Sequence, residues 1–482
     1  MGERMNVMKI RCAGCRKENC DGCSLNPGKR ISSIKDKALS FPRNFKIEKG
    51  EGYGIAFDVG TTTVAGMLAD LKSGEVLAAK TCVNPQRIAG SDVVSRIVYC
   101  REKEENRRRL QKLIAEKLDE LAFELCRQVA EEARQNQDKA SEAITVDRVT
   151  IVGNTVMCEL LLGLALKGLA KAPFHKEYYG SVTVKGSDLC FDYLENAEVI
   201  VLPSVEGYVG ADALAVYTYI RQEDPEENIL AVDIGTNGEI LLIGKEKTYA
   251  CSTAAGPALE GASVTQGMGA SPGAIEEVGI LGRFPRQDIY CRVIGDSEPK
   301  GICGSGLVDV LSVLRQLKVI DDTGYLPGCQ EARKTGVPEQ ICRRLSTLQG
   351  ENRFLLTDSE SPVYLTAGDI RQLQLAKGAI RAGMKILLEK ADISEEEVSH
   401  IYLAGAFGSY IKKESAVGIG LLPDIPEDKI THTGNCAGTG ALMALLNPDV
   451  ITDMERSAEK IMHVELAGEE KFQELFMRFL AF

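Results

Sequence analysis

Residues 54–78 read GIAFDVGTTTVAGMLADLKSGEVLA, and residues 228–250 read NILAVDIGTNGEILLIGKEKTYA. Each is an apolar strand that closes on Asp-x-Gly-Thr, makes a tight turn and returns as a second apolar strand. A further turn at Lys72, Ser73 and Gly74 leads the first segment into a third strand. Asp58 and Asp233 hold the same place in the two segments. The turn has a mechanical logic: Gly60 and Gly235 let the backbone approach a phosphate. Thr61, Thr62, Thr236 and Asn237 then supply hydroxyl and amide donors to its oxygens, and Asp58 and Asp233 are placed to hold Mg²⁺ or its waters. One such turn is any tight hairpin. Two in mirrored positions imply two halves on one plan, each an α/β lobe of sheet and helices.

The text around these segments fits that plan. Leu110, Ile114, Leu118, Leu121, Leu125 and Val129 recur at helical spacing and predict a long helix with one apolar stripe. Residues 148–157, RVTIVGNTVM, read as a buried strand ending in a Gly-Asn turn, where Asn154 is a candidate for positioning a water or a phosphate. Thr366 with Asp369 opens a helix whose stripe runs Ile370, Leu373, Ile380, Met384 and Leu387. Residues 400–411, HIYLAGAFGSYI, are a strand and a Gly-rich turn. Glu239 and Glu260 are candidates for activating water. The expected organisation is a cysteine-rich module at 1–30, a basic linker at 31–51, one lobe at 52–226, a second at 227–445 and a helical cap at 446–482.

Composition bounds the function classes. The chain has 482 residues, 44% hydrophobic and 26% charged, which suits a multi-domain globular protein. No apolar run approaches a membrane span, and MGERMNVMKIRC lacks an apolar signal core, so a cytoplasmic protein without membrane contact is expected. The net charge is −12, unevenly spread: residues 1–50 carry 12 Lys and Arg against 5 Asp and Glu, leaving −19 for the rest. So acidic a body argues against nucleic acid as partner. His175, His400, His432 and His463 show no paired spacing for a His-ligated metal or a catalytic triad.

Eleven of the fifteen cysteines are scattered and read as small hydrophobes. Cys12, Cys15, Cys20 and Cys23 differ. They form C-x2-C-x4-C-x2-C in a polar, Gly-rich stretch with no core of its own, so a bound metal is what would order it. Four thiolates this close complete one iron–sulfur cluster or one tetrahedral zinc. The short gap between the pairs favours a [4Fe–4S] cluster, with zinc as the alternative.

DVGTTT, DIGTNGE and LAGAFG together resemble the two phosphate loops and the adenosine loop of the acetate and sugar kinase, Hsp70 and actin superfamily. That resemblance implies two ribonuclease H-like lobes with ATP between them. Gly405, Ala406 and Gly408 would then pack on the adenosine. Further stretches resemble one narrower family, the ATP-dependent reductive activators of corrinoid enzymes: NPQ at 84–86, GSDVVSRI at 90–97, VGNTVM, AGPALEG at 255–261, GICGSG at 301–306, DIRQLQLAKGAIRAG at 369–383 and YLAGAFG. Members of that family reduce a Co(II) corrinoid to Co(I), drawing the electron from an iron–sulfur domain.

The resemblance implies as partners the corrinoid protein of a methyltransferase system and a low-potential electron donor, and leaves a homodimer open. Within it, Gly304 and Gly306 form either an anion cradle or a helix-start turn. Ser252, read as an exposed loop residue, is a candidate corrinoid contact, and Lys377 and Arg381 are either solvated or line the adenine. The family's better-known members carry a plant-ferredoxin-like domain or an eight-cysteine segment, where this chain has four cysteines. An activator of another low-potential enzyme, such as a 2-hydroxyacyl-CoA dehydratase, and a small-molecule kinase with a structural zinc are the competing readings.

Overall fold

The computed structural model describes residues 41–135, 144–224, 228–408 and 410–482. Cys12, Cys15, Cys20 and Cys23, and the basic stretch up to residue 40, lie outside the described residues.

The first expected hairpin forms as β1 (Tyr53–Val59), β2 (Thr63–Asp70) and β3 (Val76–Val83). α1 (Val93–Glu102) and α2 (Glu104–Gln135) follow. Leu110, Ile114, Leu118, Leu121 and Leu125 are almost wholly buried along α2, as the periodicity requires. β4 (Val146–Gly153) then lies parallel to β1 and runs into α3 (Thr155–Leu161). β5 (Val182–Lys185), β6 (Glu198–Val201) and α4 (Ala211–Glu223) complete the unit. Its sheet has the order β3-β2-β1-β4-β6-β5.

The plan recurs in β7 (Ile229–Ile234), β8 (Gly238–Ile243) and β9 (Thr248–Thr253). Every residue of β8 is buried, because α4 covers one side of it and a later helix the other. Between residues 274 and 366 the chain inserts two three-stranded sheets. The first holds β10 (Ala274–Leu281), β11 (Asp288–Val293) and β12 (Gly301–Ile302), followed by α5 (Gly304–Gln316), α6 (Cys329–Lys334) and α7 (Glu339–Arg343). The second holds β13 (Leu345–Leu348), β14 (Glu351–Leu355) and β15 (Tyr364–Thr366). α8 (Ala367–Ala391) starts in the expected capping box, Thr366 and Asp369 each satisfying the other's backbone N–H. β16 (His400–Ala404), α9 (Gly405–Gly408), α10 (Lys413–Gly418) and β17 (Ile430–Gly434) lead to α11 (Cys436–Leu446) and α12 (Pro448–Ala458). β18 (Ile461–His463) and α13 (Phe472–Arg478) close the chain.

The second large sheet runs β17-β16-β7-β8-β9-β18. Its β9-β8-β7-β16-β17 portion repeats β3-β2-β1-β4-β6, with the same two antiparallel steps followed by parallel ones. The internal repeat is thus one of topology as well as of sequence.

Residues 446–482 hold α12, β18 and α13, a strand between two helices, and α11 just before them crosses to the first lobe. α11 has all its residues buried, and it packs against β1, β4 and α4 of the first lobe. The hydroxyl of Thr150 donates to the Ala441 carbonyl at 2.8 Å. An all-round apolar helix needs cover on every side, and the space between β1 and α4 supplies it. The chain then returns to the second lobe, where β18 pairs with β9 and α13 lies on α8. Among the described residues no helix is long and apolar enough to cross a membrane.

Candidate functional site

The C-terminal ends of β1 and β7 bring Asp58 and Asp233 into one cleft, where each remains half-buried. Burial pushes the Asp58 carboxyl up to about 6, opposed by the amide of Asn435, which donates to Oδ2 at 2.9 Å. Asp233 is pushed up to about 7, by burial first and then by the charge of Asp58. Asp212, in the first turn of α4, is raised by burial and then by Asp58, with Asp233 adding to it. Glu239, buried on β8, is raised well above its ordinary value by burial and by Asp212 and Asp233.

These acids repel one another. A divalent cation in such a cleft would relieve that repulsion. Among the described residues no three His, Cys, Asp or Glu side chains stand close enough to ligate one ion directly. A Mg²⁺ placed here would have to be held through its waters and through phosphate.

The first Asp-x-Gly-Thr turn is braced by the NPQ and GSDVVSRI stretches. Asn84 Nδ2 donates to the Gly60 carbonyl at 2.8 Å, and the Asn84 N–H donates to Thr62 O at 2.9 Å. Arg96, fully buried on α1, donates to the Thr61 carbonyl, to Gln86 Oε1 and to the Gly90 carbonyl. Asn154 uses both ends of its amide: Oδ1 caps α3 by accepting from Met157 N at 3.0 Å, and Nδ2 donates to Thr61 Oγ1 at 2.9 Å. It therefore orients Thr61.

The second turn closes with Gly235 N donating to the Asn237 carbonyl at 3.1 Å. Thr62 and Thr236 meet across the cleft with their hydroxyl oxygens 3.0 Å apart, and each donates to Glu260 at 2.6 Å. Gly405 has φ 83°, and a Cβ there would lie 2.4 Å from Asp233 Oδ1, so only glycine fits. The Gly-rich turn thus begins directly behind the second Asp-x-Gly-Thr turn, in α9, which also holds Ala406 and Gly408. His432 Nδ1 lies 2.7 Å from the Gly408 carbonyl.

Other expected residues take different places. Ser252 is in β9, not in a loop; it stands cross-strand from Glu239 and donates to Oε1 at 3.3 Å. The hairpin simply extends further than its polar residues suggest. Added Cβ atoms at Gly304 and Gly306 would lie 1.8 Å from the Leu259 carbonyl and 2.3 Å from the Ile275 carbonyl. Those glycines let α5 pack tightly on neighbouring backbone. Lys377 and Arg381 are buried rather than solvated. Lys377 donates to the carbonyls of Phe479 and Ala481, and Arg381 pairs with Glu395 at 3.0 Å. The apolar C-terminal segment lies over that face of α8.

Asp212 and Asn435 were not singled out in the sequence. An acid in the first turn of an otherwise apolar helix looks like ordinary capping. Asn435 did leave a signal: a strand ending in Gly-Asn and entering a helix occurs twice, at Gly153-Asn154 and Gly434-Asn435. Both asparagines cap their helices and turn their Nδ2 onto the first phosphate turn and its strand.

Two duplicated lobes and an acidic cleft between paired Asp-x-Gly-Thr turns define the ATP-binding core class of the acetate and sugar kinases, Hsp70 and actin. Residues 53–222 match the region described as the RACo middle region. Residues 227–482 match the C-terminal domain of RACo, the ASKHA domain. The chain belongs to the RACo family.

Corrinoid activation enzyme RamQ of Eubacterium limosum is 35% identical over 432 residues, covering 88% of this chain and 69% of the relative. The Co(II) methylated amine-specific corrinoid protein reductase of Methanosarcina barkeri is 27% identical over 458 residues, covering 88% and 76%. A solved structure, of a reductive activator for corrinoid, iron-sulfur protein, superposes with a TM-score of 0.76 at 31% identity. It covers 89% of this chain, and this chain spans 65% of its length.

Proposed function

We propose that this protein is an ATP-dependent reductive activator of a corrinoid protein, returning an inactivated Co(II) corrinoid to Co(I). The observation that carries this reading is the acidic cleft between two Asp-x-Gly-Thr turns in a chain whose relatives are named for corrinoid activation and Co(II) reduction. Mg²⁺, when bound, neutralises phosphate charge. Asp58, Asp212 and Asp233 would hold its waters, and the backbone and side chains of residues 60–62 and 235–237 would take the phosphates. Gly405, with Ala406 and Gly408, would border the adenosine. Glu239, whose carboxyl burial raises well above its ordinary value, would in its ionised form accept the proton of an attacking water.

Closure of the two lobes on ATP would hold the docked partner in the geometry that favours Co(I). One electron is needed per cobalt. A [4Fe–4S] cluster on Cys12, Cys15, Cys20 and Cys23, refilled by a low-potential donor, would supply it. Four ligands in one stretch of a single chain suit a cluster that need not be shared between subunits.

Anaerobic purification followed by iron, sulfide and zinc analysis tests the electron source. About four irons per chain are expected, with the iron lost in Cys12→Ser and Cys20→Ser. Mixing with a Co(II) corrinoid protein, a strong reductant and ATP tests the activity through the absorbance of Co(I). No ATP-dependent Co(I) would overturn the activator reading. Zinc in place of iron would leave activation standing and move the electron source to a separate protein.

A further inference from the structure

Glu260 stands between the two phosphate turns. Its Oε2 accepts the Thr62 hydroxyl and its Oε1 the Thr236 hydroxyl, both at 2.6 Å, and the side chain is 9% exposed. Thr62 belongs to the first lobe, whereas Thr236 and Glu260 belong to the second. One carboxylate therefore spans the cleft. A threonine hydroxyl has a single proton to give, and both protons are committed to Glu260. Neither hydroxyl can donate to a phosphate oxygen while the carboxylate stays in place.

We infer that Glu260 is an internal anion that latches the lobes through Thr62 and Thr236 and is exchanged for the phosphate of an incoming nucleotide. This rests on the reading of the cleft as a nucleotide site and adds a selection rule to it. Once displaced, the carboxylate stays at the two turns that follow Asp58 and Asp233 and adds its charge there, so a bare anion meets added repulsion. A polyphosphate that brings its own divalent cation does not. The latch thus favours metal-bound nucleotide over free phosphate or metal-free nucleotide.

The local fold holds the backbone that carries the carboxylate. Glu260 ends the short turn Pro257–Glu260, between Gly256 and Gly261. A Cβ on Gly261 would lie 2.2 Å from the Met268 carbonyl, so that end is packed, whereas at Gly256 nothing lies within 4 Å. Leu259 is buried under α5, so the backbone of the turn stays in place, and the carboxylate leaves by rotation of its own side chain.

Glu260→Ala and Glu260→Gln in the full chain test this with two readouts. Hydrogen exchange is measured at residues 60–63 and 235–238 in nucleotide-free protein. Calorimetry is run with a non-hydrolysable ATP analogue, with and without Mg²⁺. Glu260→Ala is expected to raise exchange at both turns, to tighten analogue binding about tenfold and to weaken its dependence on Mg²⁺. Glu260→Gln, whose amide has one acceptor oxygen, is expected to fall between.

Unchanged exchange in both variants overturns the latch. Raised exchange with weaker analogue binding overturns the exchange step, and makes Glu260 a ligand of the nucleotide instead. If the wild type and both variants fail to bind the analogue, the nucleotide reading falls, and the exchange data still decide whether the lobes were latched.

Discussion

Asn435 donates its side-chain amide to Asp58 at 2.9 Å, joining two residues 377 positions apart. Asp58 lies near the end of β1 in the first lobe, and Asn435 follows β17 of the second and caps α11, which crosses back to pack on the first. The contact ties the helix that bridges the lobes to the first acid of the cleft. It also favours the charged form of Asp58 against the effect of burial.

Removing it has a pH signature. Asn435→Ala deletes the group that lowers the Asp58 carboxyl, which then titrates above its present value of about 6. At pH 7 more of Asp58 is neutral, and binding of a Mg²⁺-bound ATP analogue weakens several-fold. At pH 8 Asp58 is again mostly charged and most of the loss returns. Calorimetry at the two pH values reads this, and an equal loss at both would mean that the lost cap on α11 explains the effect.

The acids of the cleft also set a stability profile. Asp58 and Asp233 have folded values of about 6 and about 7, raised above the ordinary 3.8. The folded state therefore binds more protons than the unfolded one, and without metal these groups lower stability as pH rises from about 4 to about 7. Mg²⁺ with nucleotide should restore it. Asp212→Asn, which removes one charge from the cluster, should raise metal-free stability at pH 8 by on the order of 1 kcal/mol. The same change should cut ATP turnover at least about tenfold. Thermal melts from pH 5 to 8 check the first half, and a variant no more stable than wild type at pH 8 would contradict the repulsion argument.

How much of this was legible in the sequence depends on the range over which each feature is encoded. The paired hairpins, the α2 stripe and the Thr366–Asp369 cap are local patterns, and they appear in the structure as read. Asp58 and Asp233 were legible because the motif repeats. Asp212, Arg96 and Asn435 act at the same place, but each through a partner between 35 and 377 residues away or through summed charge, which no local pattern displays. Ser252 and Lys377 show the converse. Their residue types suggested exposure, whereas a longer strand and the packed C-terminal segment buried or paired them.

Ser252 offers a test that separates two roles. Its hydroxyl donates to Glu239, and that bond is among the influences lowering the Glu239 carboxyl. If Ser252 works through Glu239, Ser252→Ala changes ATP hydrolysis by a few-fold with no corrinoid protein present, and shifts its pH profile. If it meets the cobalt instead, hydrolysis alone is untouched and only Co(I) formation slows. The cross-strand geometry favours the first outcome.

Arg96 is the strongest case for action from beneath the site. Its guanidinium is fully buried, yet burial lowers it only to about 10, so it is charged at neutral pH. It reaches the carbonyls of Thr61 and Gly90, Gln86 Oε1 and the Met157 sulfur, and so fixes the backbone of the first phosphate turn. Arg96→Met keeps much of the volume and leaves those acceptors without a donor, which should cost about 2–4 kcal/mol. A turn so loosened should also raise the ATP KM about tenfold, while the cleft acids stay in place. Arg96→Lys retains the charge but cannot span partners on several sides, so it should recover only part of the stability and part of the KM. Denaturant melts with steady-state ATPase assays measure both. A variant that is destabilised with an unchanged KM would make Arg96 a core residue and nothing more.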